Sequence, residues 1–177
     1  VINYQRVLTE TALGRDMAAK LQQIRAQVGT EAQSLQPEQQ SIEQERQRLA
    51  QASRNMSPEQ IRNSSTLGPQ VQQFQQRVQQ FEARAQGLRG DFECSQMFAL
   101  GDFDRQVSPI VRSVMEARGA GVALDASNVQ LVLPEFDITN TVIQQLDQGP
   151  ATRTATVARH AVAECQAQAP AQAPAAQ

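Results

Sequence analysis

The sequence predicts a mostly α protein of the α+β class, in which a long coiled-coil-like helical hairpin is inserted in a small β-containing body. Nine residues from Val71 to Ala99 follow one another at alternating spacings of three and four, which places them on one stripe of a single helix. Six residues from Leu21 to Met56 stand seven apart and mark a second helix. Short apolar runs with period two follow Gly119 and predict the β part.

The outgoing helix is predicted from Val7 to Ser53. Pro37 interrupts it, because proline removes a backbone donor and clashes with the preceding turn, so a kink is expected near Ser34. Beyond Val28 the stripe keeps one apolar residue per heptad. Since so sparse a seam binds its partner helix weakly, we expect a flexible arm.

The return helix follows a short tip. Ser57 and Pro58 are typical of a helix start within the tip. The return helix is predicted from about Pro69, with a kink or restart at Pro109. Gly119 is typical of a helix end.

The body is predicted to be discontinuous in the sequence. A strand at 1–4 would join two more at 122–125 and 129–132, and a final helix capped by Asp137 would pack beside them. The predicted divisions are residues 1–8 and 120–150 for the body, 9–119 for the arm with its tip at about 54–69, and 151–177 for a low-complexity C-terminal tail, whose Ala, Pro and Gln repeats predict disorder.

So few short strands and one helix cannot bury a core alone, and self-association of the body is predicted. The apolar faces that we expect at the interface belong to Val122, Leu124, Val129, Leu131, Val142 and Leu146.

Charge is distributed unevenly along the chain, although the net charge is only −2. Residues 46–89 hold seven arginines and two acidic residues, whereas residues 90–147 hold three arginines and nine acidic residues. One interpretation is random variation on a solvated surface. The other is a basic tip that attracts acidic partners.

Catalytic and metal-binding patterns are missing from the sequence. The single histidine, His160, falls in the predicted tail and is expected at the surface. Asp102 and Asp104 do not continue into a cation-binding loop, and no glycine-rich phosphate loop follows a strand. The arginines lack interleaved aromatic residues, which argues against nucleic-acid binding. We predict neither an enzyme nor a cofactor, and no apolar run is long enough to span a membrane.

The order of strand, long helical hairpin, β-hairpin and capped helix resembles the Skp (OmpH-like) family of periplasmic outer-membrane-protein chaperones. The resemblance rests on residues 1–3 with Val7 and Leu8, on Gly-Val-Ala-Leu-Asp-Ala-Ser-Asn-Val at 121–129, and on Phe-Asp-Ile-Thr at 136–139. It implies a homotrimer with a shared barrel and tentacle-like arms around a cavity. It also implies an ATP-independent periplasmic holdase for unfolded outer-membrane β-barrel proteins, from which a signal peptide has been removed.

Client binding would then fall to the arm. The residues expected to take part are Leu35, Ile42, Leu49, Met56, Val71, Phe74, Val78, Phe81, Arg77, Arg84 and Arg89. The resemblance also raises lipopolysaccharide as a partner of the three arginines, but so thin a cluster argues against it. The competing interpretation is a structural coiled-coil spacer or adaptor without chaperone activity, which would need a more continuous seam.

The two cysteines, Cys94 and Cys165, would lie in an oxidising compartment if the protein is periplasmic, as the resemblance implies. The stretch from Pro150 to Cys165 can span about 50 Å when extended. A disulfide within the chain or to a neighbouring chain is therefore within reach, and it would pin the tail against the upper arm. Two free thiols are the alternative.

Overall fold

The computed structural model describes residues 1–168, which are mostly helical and include a long helical hairpin. Within these residues the α-helices are α1 (Tyr4–Glu10), α2 (Ala12–Ser34), α3 (Gln36–Ala52), α4 (Pro58–Asn63), α5 (Leu67–Ala117), α6 (Thr139–Gln148) and α7 (Val162–Gln168). The chain divides into two compact units. Unit 1 combines Val1–Arg25 with the residues from Phe92 onward, and unit 2 is Ala26–Asp91.

The N-terminal strand predicted at 1–4 is wrong, because helix α1 already begins at Tyr4. Asn3 caps this helix, and its side-chain oxygen accepts a hydrogen bond from the Arg6 amide at 3.0 Å. Ile2 alone makes a β-type contact, an isolated parallel bridge to Asp125. Its amide donates to the Leu124 carbonyl at 3.0 Å, so the N-terminus is tied to the predicted second strand by a single bridge.

The predicted β-hairpin is also wrong for the described residues. The turn between its two arms is a 3-10 helix at Ala126–Asn128, in which the Asp125 carboxylate accepts from the Ser127 amide at 2.7 Å. This turn does not lay 129–132 beside 122–125, and Leu131 is left 86% exposed. An alternating apolar pattern indicates an extended backbone, but pairing requires a partner strand, which these residues do not find among residues 1–168.

The outgoing helix is divided at Thr11, which the sequence did not predict. The buried Thr11 hydroxyl donates to the Val7 carbonyl at 2.7 Å and accepts from the Gly14 amide at 3.1 Å. The Gly14 amide thus bonds to a side chain at the junction of α1 and α2, while the Thr11 amide still donates to the Val7 carbonyl at 3.4 Å. The kink predicted near Ser34 is confirmed, since α2 ends there and α3 starts at Gln36 with Pro37 in its first turn.

Helix α5 is continuous through Pro109, so the predicted restart is wrong. Val107 and Val114 are at most 2% exposed on either side of the proline. Their packing stabilises this part of the helix despite the hydrogen bond that the proline cannot donate. The helix end predicted at Gly119 is confirmed, because Gly119 adopts a φ of 63°, which favours glycine.

The core of unit 1 joins both ends of the described chain. Leu13, Phe103, Val107, Val142 and Leu146 are each at most 1% exposed and belong to one apolar cluster. Helices α1, α2, α5 and α6 each supply part of this cluster. A buried core is therefore formed by helices rather than by the predicted sheet.

Helix α6 begins two residues after its predicted cap. The Asp137 carboxylate accepts from the Thr139 amide at 2.9 Å and from its hydroxyl at 2.5 Å. Ile138 occupies the N-cap position itself. The helix ends at Gln148.

The predicted low-complexity tail is partly ordered. Residues 153–161 are irregular but packed, and Ala155 is only 6% exposed. Helix α7 follows at Val162–Gln168. The rest of the predicted disorder falls on 169–177, which lie outside the described residues.

Candidate functional site

The apolar stripe of unit 2 is only partly closed. Of the apolar residues assigned to client binding, Leu49 is buried at 6% exposure. The others are half-buried, namely Leu35, Ile42, Met56, Val71, Phe74, Val78 and Phe81. The stripe therefore keeps apolar surface in contact with water along its length.

Two ion pairs join α3 to α5 within unit 2. Arg77 contacts the Glu45 carboxylate at 2.9 Å and also donates to the Ser41 hydroxyl at 3.0 Å. Two turns further along α5, Arg84 donates to both carboxylate oxygens of Glu38 at 2.6 and 2.7 Å. These contacts fix the register of the two helices.

The ion pairs change the interpretation of the basic tip. The acidic partners Glu38 and Glu45 precede the stretch 46–89 whose charge was counted. Unit 2 as a whole holds seven arginines and seven acidic residues. Two of the three arginines assigned to clients thus face carboxylates, while Arg89 is exposed.

Unit 1 carries an exposed apolar segment at residues 122–136. Its large side chains exposed by more than a third are Val122, Leu124, Leu131, Val132, Leu133 and Phe136. Val129, in the same segment, is half-buried. So much contiguous apolar exposure is typical of a surface that another protein covers.

A shallow groove of about 580 Å³ lies beside the start of this apolar segment. Its apolar walls come from Ile2, Val107, Val111, Met115 and Ala123. Tyr4 also lines the groove, and its hydroxyl donates a hydrogen bond to the Asp104 carboxylate at 2.8 Å. Burial, and then this hydrogen bond, raise the pKa of Tyr4 well above its ordinary value.

Val142 and Leu146, which the sequence assigned to the interface, lie elsewhere. Both are fully buried at 0% exposure in the core of unit 1. Their apolar face is used within the chain and is not available to a partner. Helical periodicity identified a buried face but could not tell which surface buries it.

The structure joins Cys94 and Cys165 in a disulfide. Both belong to unit 1, and Cys94 is 3% exposed. The disulfide therefore lies at unit 1 rather than on the upper arm, where the sequence placed Cys94. It anchors residues 153–165, which comprise the irregular stretch at 153–161 and the first turn of α7, and which we call the C-terminal strap.

The C-terminal strap is docked at two points. Near its start, the Ala155 amide donates to Asp16 and its carbonyl accepts from Lys20, each at 2.8 Å. The hydrogen bond with Lys20 and then that with the Ala155 amide lower the pKa of Asp16. Near its end, the His160 amide donates to the Ser95 hydroxyl at 2.9 Å.

His160 is part of this second docking point. Its ring stacks on Phe98 with centroids 3.9 Å apart and planes inclined by 12°. Its Nδ1 lies 2.9 Å from a Glu164 oxygen. His160 is thus half-buried at the surface of unit 1, with its ring against Phe98 of α5.

Asp102 and Asp104, which the sequence analysis considered as cation ligands, both lie on α5. Asp102 pairs with Arg105 in its own helix, and Phe103 between the two aspartates lies in the core. In residues 1–168 there is no group of three or more His, Cys, Asp or Glu side chains that could hold a metal. Nor does any helix in this range combine the length and hydropathy that crossing a bilayer requires.

The comparisons with known proteins identify the family. A family model described as outer membrane protein (OmpH-like) matches residues 1–146, so the chain belongs to the OmpH-like family, as its sequence features predicted. A solved structure of a candidate outer membrane chaperone (OmpH-like) from Caulobacter crescentus CB15 is similar to it, with a TM-score of 0.63 and 22% identity. The alignment covers 90% of this chain and 88% of that one, and it supports the fold. No curated protein matches the chain.

Proposed function

We propose that the chain is an ATP-independent periplasmic holdase, which captures unfolded outer-membrane β-barrel proteins and keeps them from aggregating. Family membership supports a chaperone role, and the half-buried stripe of unit 2 is the observation that carries the proposal. The side chains of Phe74 and Phe81 are half-buried, so part of each aromatic ring stays exposed to water. Many such weak contacts can hold an unfolded chain and release it without nucleotide.

Self-association as a homotrimer is the second part of the proposal. The exposed apolar segment supports it, because Leu131 and Val122 are 86% and 75% exposed in the single chain. Burying a leucine side chain stabilises a contact by about 1.5–3 kcal/mol. Three copies would cover three such segments, and the extended segment at 129–132 would then pack against a neighbouring chain.

Electrostatic capture has a smaller part in this proposal than the sequence alone predicted. Arg77 and Arg84 each contact a carboxylate. Arg89 is the remaining member of the assigned cluster and is exposed. A single arginine argues further against a lipopolysaccharide site. Client affinity should therefore respond to apolar substitutions more than to salt.

The test is an aggregation assay without nucleotide. An unfolded outer-membrane β-barrel protein is diluted from urea at one trimer per client, and light scattering is followed. The wild type should suppress scattering. Phe74→Ser and Phe81→Ser should weaken client binding by about tenfold together, since each removes part of an apolar contact.

Gln73→Ser and Gln79→Ser are the matched controls, because both side chains are exposed on the same helix. They should suppress aggregation as the wild type does. If the wild type fails to suppress aggregation although it is folded, the chain is better described as a structural spacer. In that case the ion pairs between α3 and α5 would serve rigidity.

A further inference from the structure

We propose that a notch in unit 2, at the junction of α2 and α3, is a binding site for one aromatic side chain of an unfolded outer-membrane client. The inference rests on the proposed function and names the chemical group that this part of unit 2 would bind. The notch has a volume of about 360 Å³, which is at the low end of the range that small-molecule sites occupy. It therefore has room for one large side chain rather than for a stretch of the client chain.

Each of the two walls of the notch is formed by one helical face. The first wall comes from the end of α2, where the chain breaks before α3. The second comes from residues of α5 that are spaced by three and four, and residues with this spacing lie on the same face of a helix. The lining residues, all in unit 2, are Glu31, Ser34 and Leu35 on the first wall and Arg84, Gly87, Leu88 and Asp91 on the second.

The notch offers apolar surface and unfilled space. Leu35 and Leu88 supply the apolar part of the lining, and both are half-buried. Gly87, next to Leu88, has no side chain, and a Cβ placed on it would meet nothing within 4 Å. An apolar group that enters this space would remove leucine surface from water, which favours binding.

The polar residues of the notch favour an aromatic ligand over an aliphatic one. Arg84 is held by its two hydrogen bonds to Glu38, and a guanidinium attracts the face of an aromatic ring. Glu31 and Asp91 already have interactions within the chain, but a carboxylate has lone pairs for further hydrogen bonds, such as one from an indole N–H or a phenol hydroxyl. Outer-membrane β-barrels carry girdles of aromatic residues at both membrane interfaces, so clients of this class supply the group.

The experiment measures binding of a short peptide to the full-length protein. The peptide has about ten residues of alternating apolar and polar character, like a strand of an outer-membrane barrel, with one tryptophan at its centre. The protein contains no tryptophan, so the indole emission reports on the peptide alone and should shift to shorter wavelength, with saturation, as the ring is buried. A peptide with leucine in place of the tryptophan should compete about 2–5-fold more weakly, because the cation–π contact is lost.

Gly87→Leu should fill the notch and weaken binding of the tryptophan peptide by about tenfold. Gly29→Leu is the matched control, because Gly29 also lies in a helix of unit 2 with nothing within 4 Å of an added Cβ, but it does not line the notch. Circular dichroism checks that both variants fold, and the comparison of the two peptides needs only the wild type.

The proposal would be overturned by equal peptide affinities of Gly87→Leu and Gly29→Leu. It would also be overturned by equal affinities of the wild type for the two peptides, or by an emission that does not shift. The aggregation assay separates these outcomes from a failure of the proposed function. A wild type that suppresses aggregation but gives any of them lacks only the aromatic site, whereas a folded wild type that does not suppress aggregation is not a holdase.

Discussion

At the scale of single residues, two glycines of α2 have opposite roles. A Cβ on Gly14 would lie 1.7 Å from the Leu8 carbonyl oxygen, whereas a Cβ on Gly29 would meet nothing within 4 Å. Gly14 thus allows α1 and α2 to pack closely at the Thr11 break. Gly29 only adds backbone freedom to the unfolded chain.

Gly14→Ala should destabilise the protein by at least about 1–3 kcal/mol, since the clash is with backbone that must move. Gly29→Ala should instead stabilise it by about 0.4–1 kcal/mol. Urea unfolding followed by circular dichroism gives both values. Equal midpoints for the two variants would contradict the close approach at Gly14.

The carboxylates of unit 1 predict a pH dependence of stability. The pKa of Asp16 lies below its ordinary 3.8, first because of its hydrogen bond with Lys20 and then because of the Ala155 amide. The pKa of Asp125 is lowered by its bonds with Ser127. A group whose pKa is lower in the folded state stabilises the fold above its unfolded pKa, and this contribution is lost as the pH falls through the folded pKa.

The melting temperature should accordingly change little between pH 7 and about 5 and fall as the pH drops below about 4. Asp16→Asn should make that fall shallower, because it removes one of the groups that must take up a proton. Glu59→Gln, which removes a carboxylate at the tip of unit 2, is the control for a change of charge alone. A slope for Asp16→Asn that matches the wild type would show that Asp16 does not contribute.

At the scale of elements, the helices were predictable and the strands were not. Heptad spacing and Pro37 act within a few turns, so the stripes and the break near Ser34 can be predicted from nearby residues alone. The runs at 122–125 and 129–132 were predicted as a hairpin from a local pattern. Whether two extended segments pair depends on the turn geometry and on a partner, neither of which the alternation contains.

The contacts between α3 and α5 illustrate the same limit within the candidate site. The sequence identified Arg77 and Arg84 as a basic group, but Glu45 and Glu38 are 32 and 46 residues away. Their meeting depends on the length and turns of the tip. A count of charge over 46–89 could not include partners that precede it.

The Arg84–Glu38 pair should contribute modestly to stability. Arg84→Glu should lower the free energy of unfolding, because it places like charges opposite each other. Adding Glu38→Arg should restore most of the loss. The coupling energy should be about 0.2–1 kcal/mol, as is usual for exposed pairs, and it should shrink in high salt.

The double-mutant cycle is measured by urea unfolding at low and high salt. Arg46→Glu serves as a control, since Arg46 pairs with Glu43 of its own helix and does not reach α5. A coupling energy near zero in low salt would mean that the Arg84–Glu38 pair does not help to hold the two helices together.

At the scale of the whole molecule, the sequence predicted the family, but it underestimated what one chain can bury. Val142 and Leu146 were assigned to an interface because the body seemed too small for a core. Helix α5 and the strap supply the missing partners, through Phe103, Val107 and Ala155. The surface left for an interface is the exposed apolar segment, which lies outside this core.

Two aspartate substitutions separate the core from the proposed trimer interface. Leu131 is 86% exposed and Leu146 is 0% exposed in the single chain. Leu146→Asp should unfold the chain, because a buried unpaired charge costs several kcal/mol. Leu131→Asp should leave each chain folded and dissociate the trimer, since the charge would be buried only where chains meet.

Analytical ultracentrifugation at micromolar concentration, together with circular dichroism, tests both expectations. The wild type should sediment as a trimer, and Leu131→Asp should sediment as a monomer with a helical spectrum. Gln130→Asp, an exposed neighbour, should remain a trimer if the effect belongs to the leucine side chain. A monomeric wild type would exclude a trimer contact at the exposed apolar segment. A trimeric Leu131→Asp would exclude it too, because the trimer would then not depend on burying the most exposed leucine of that segment.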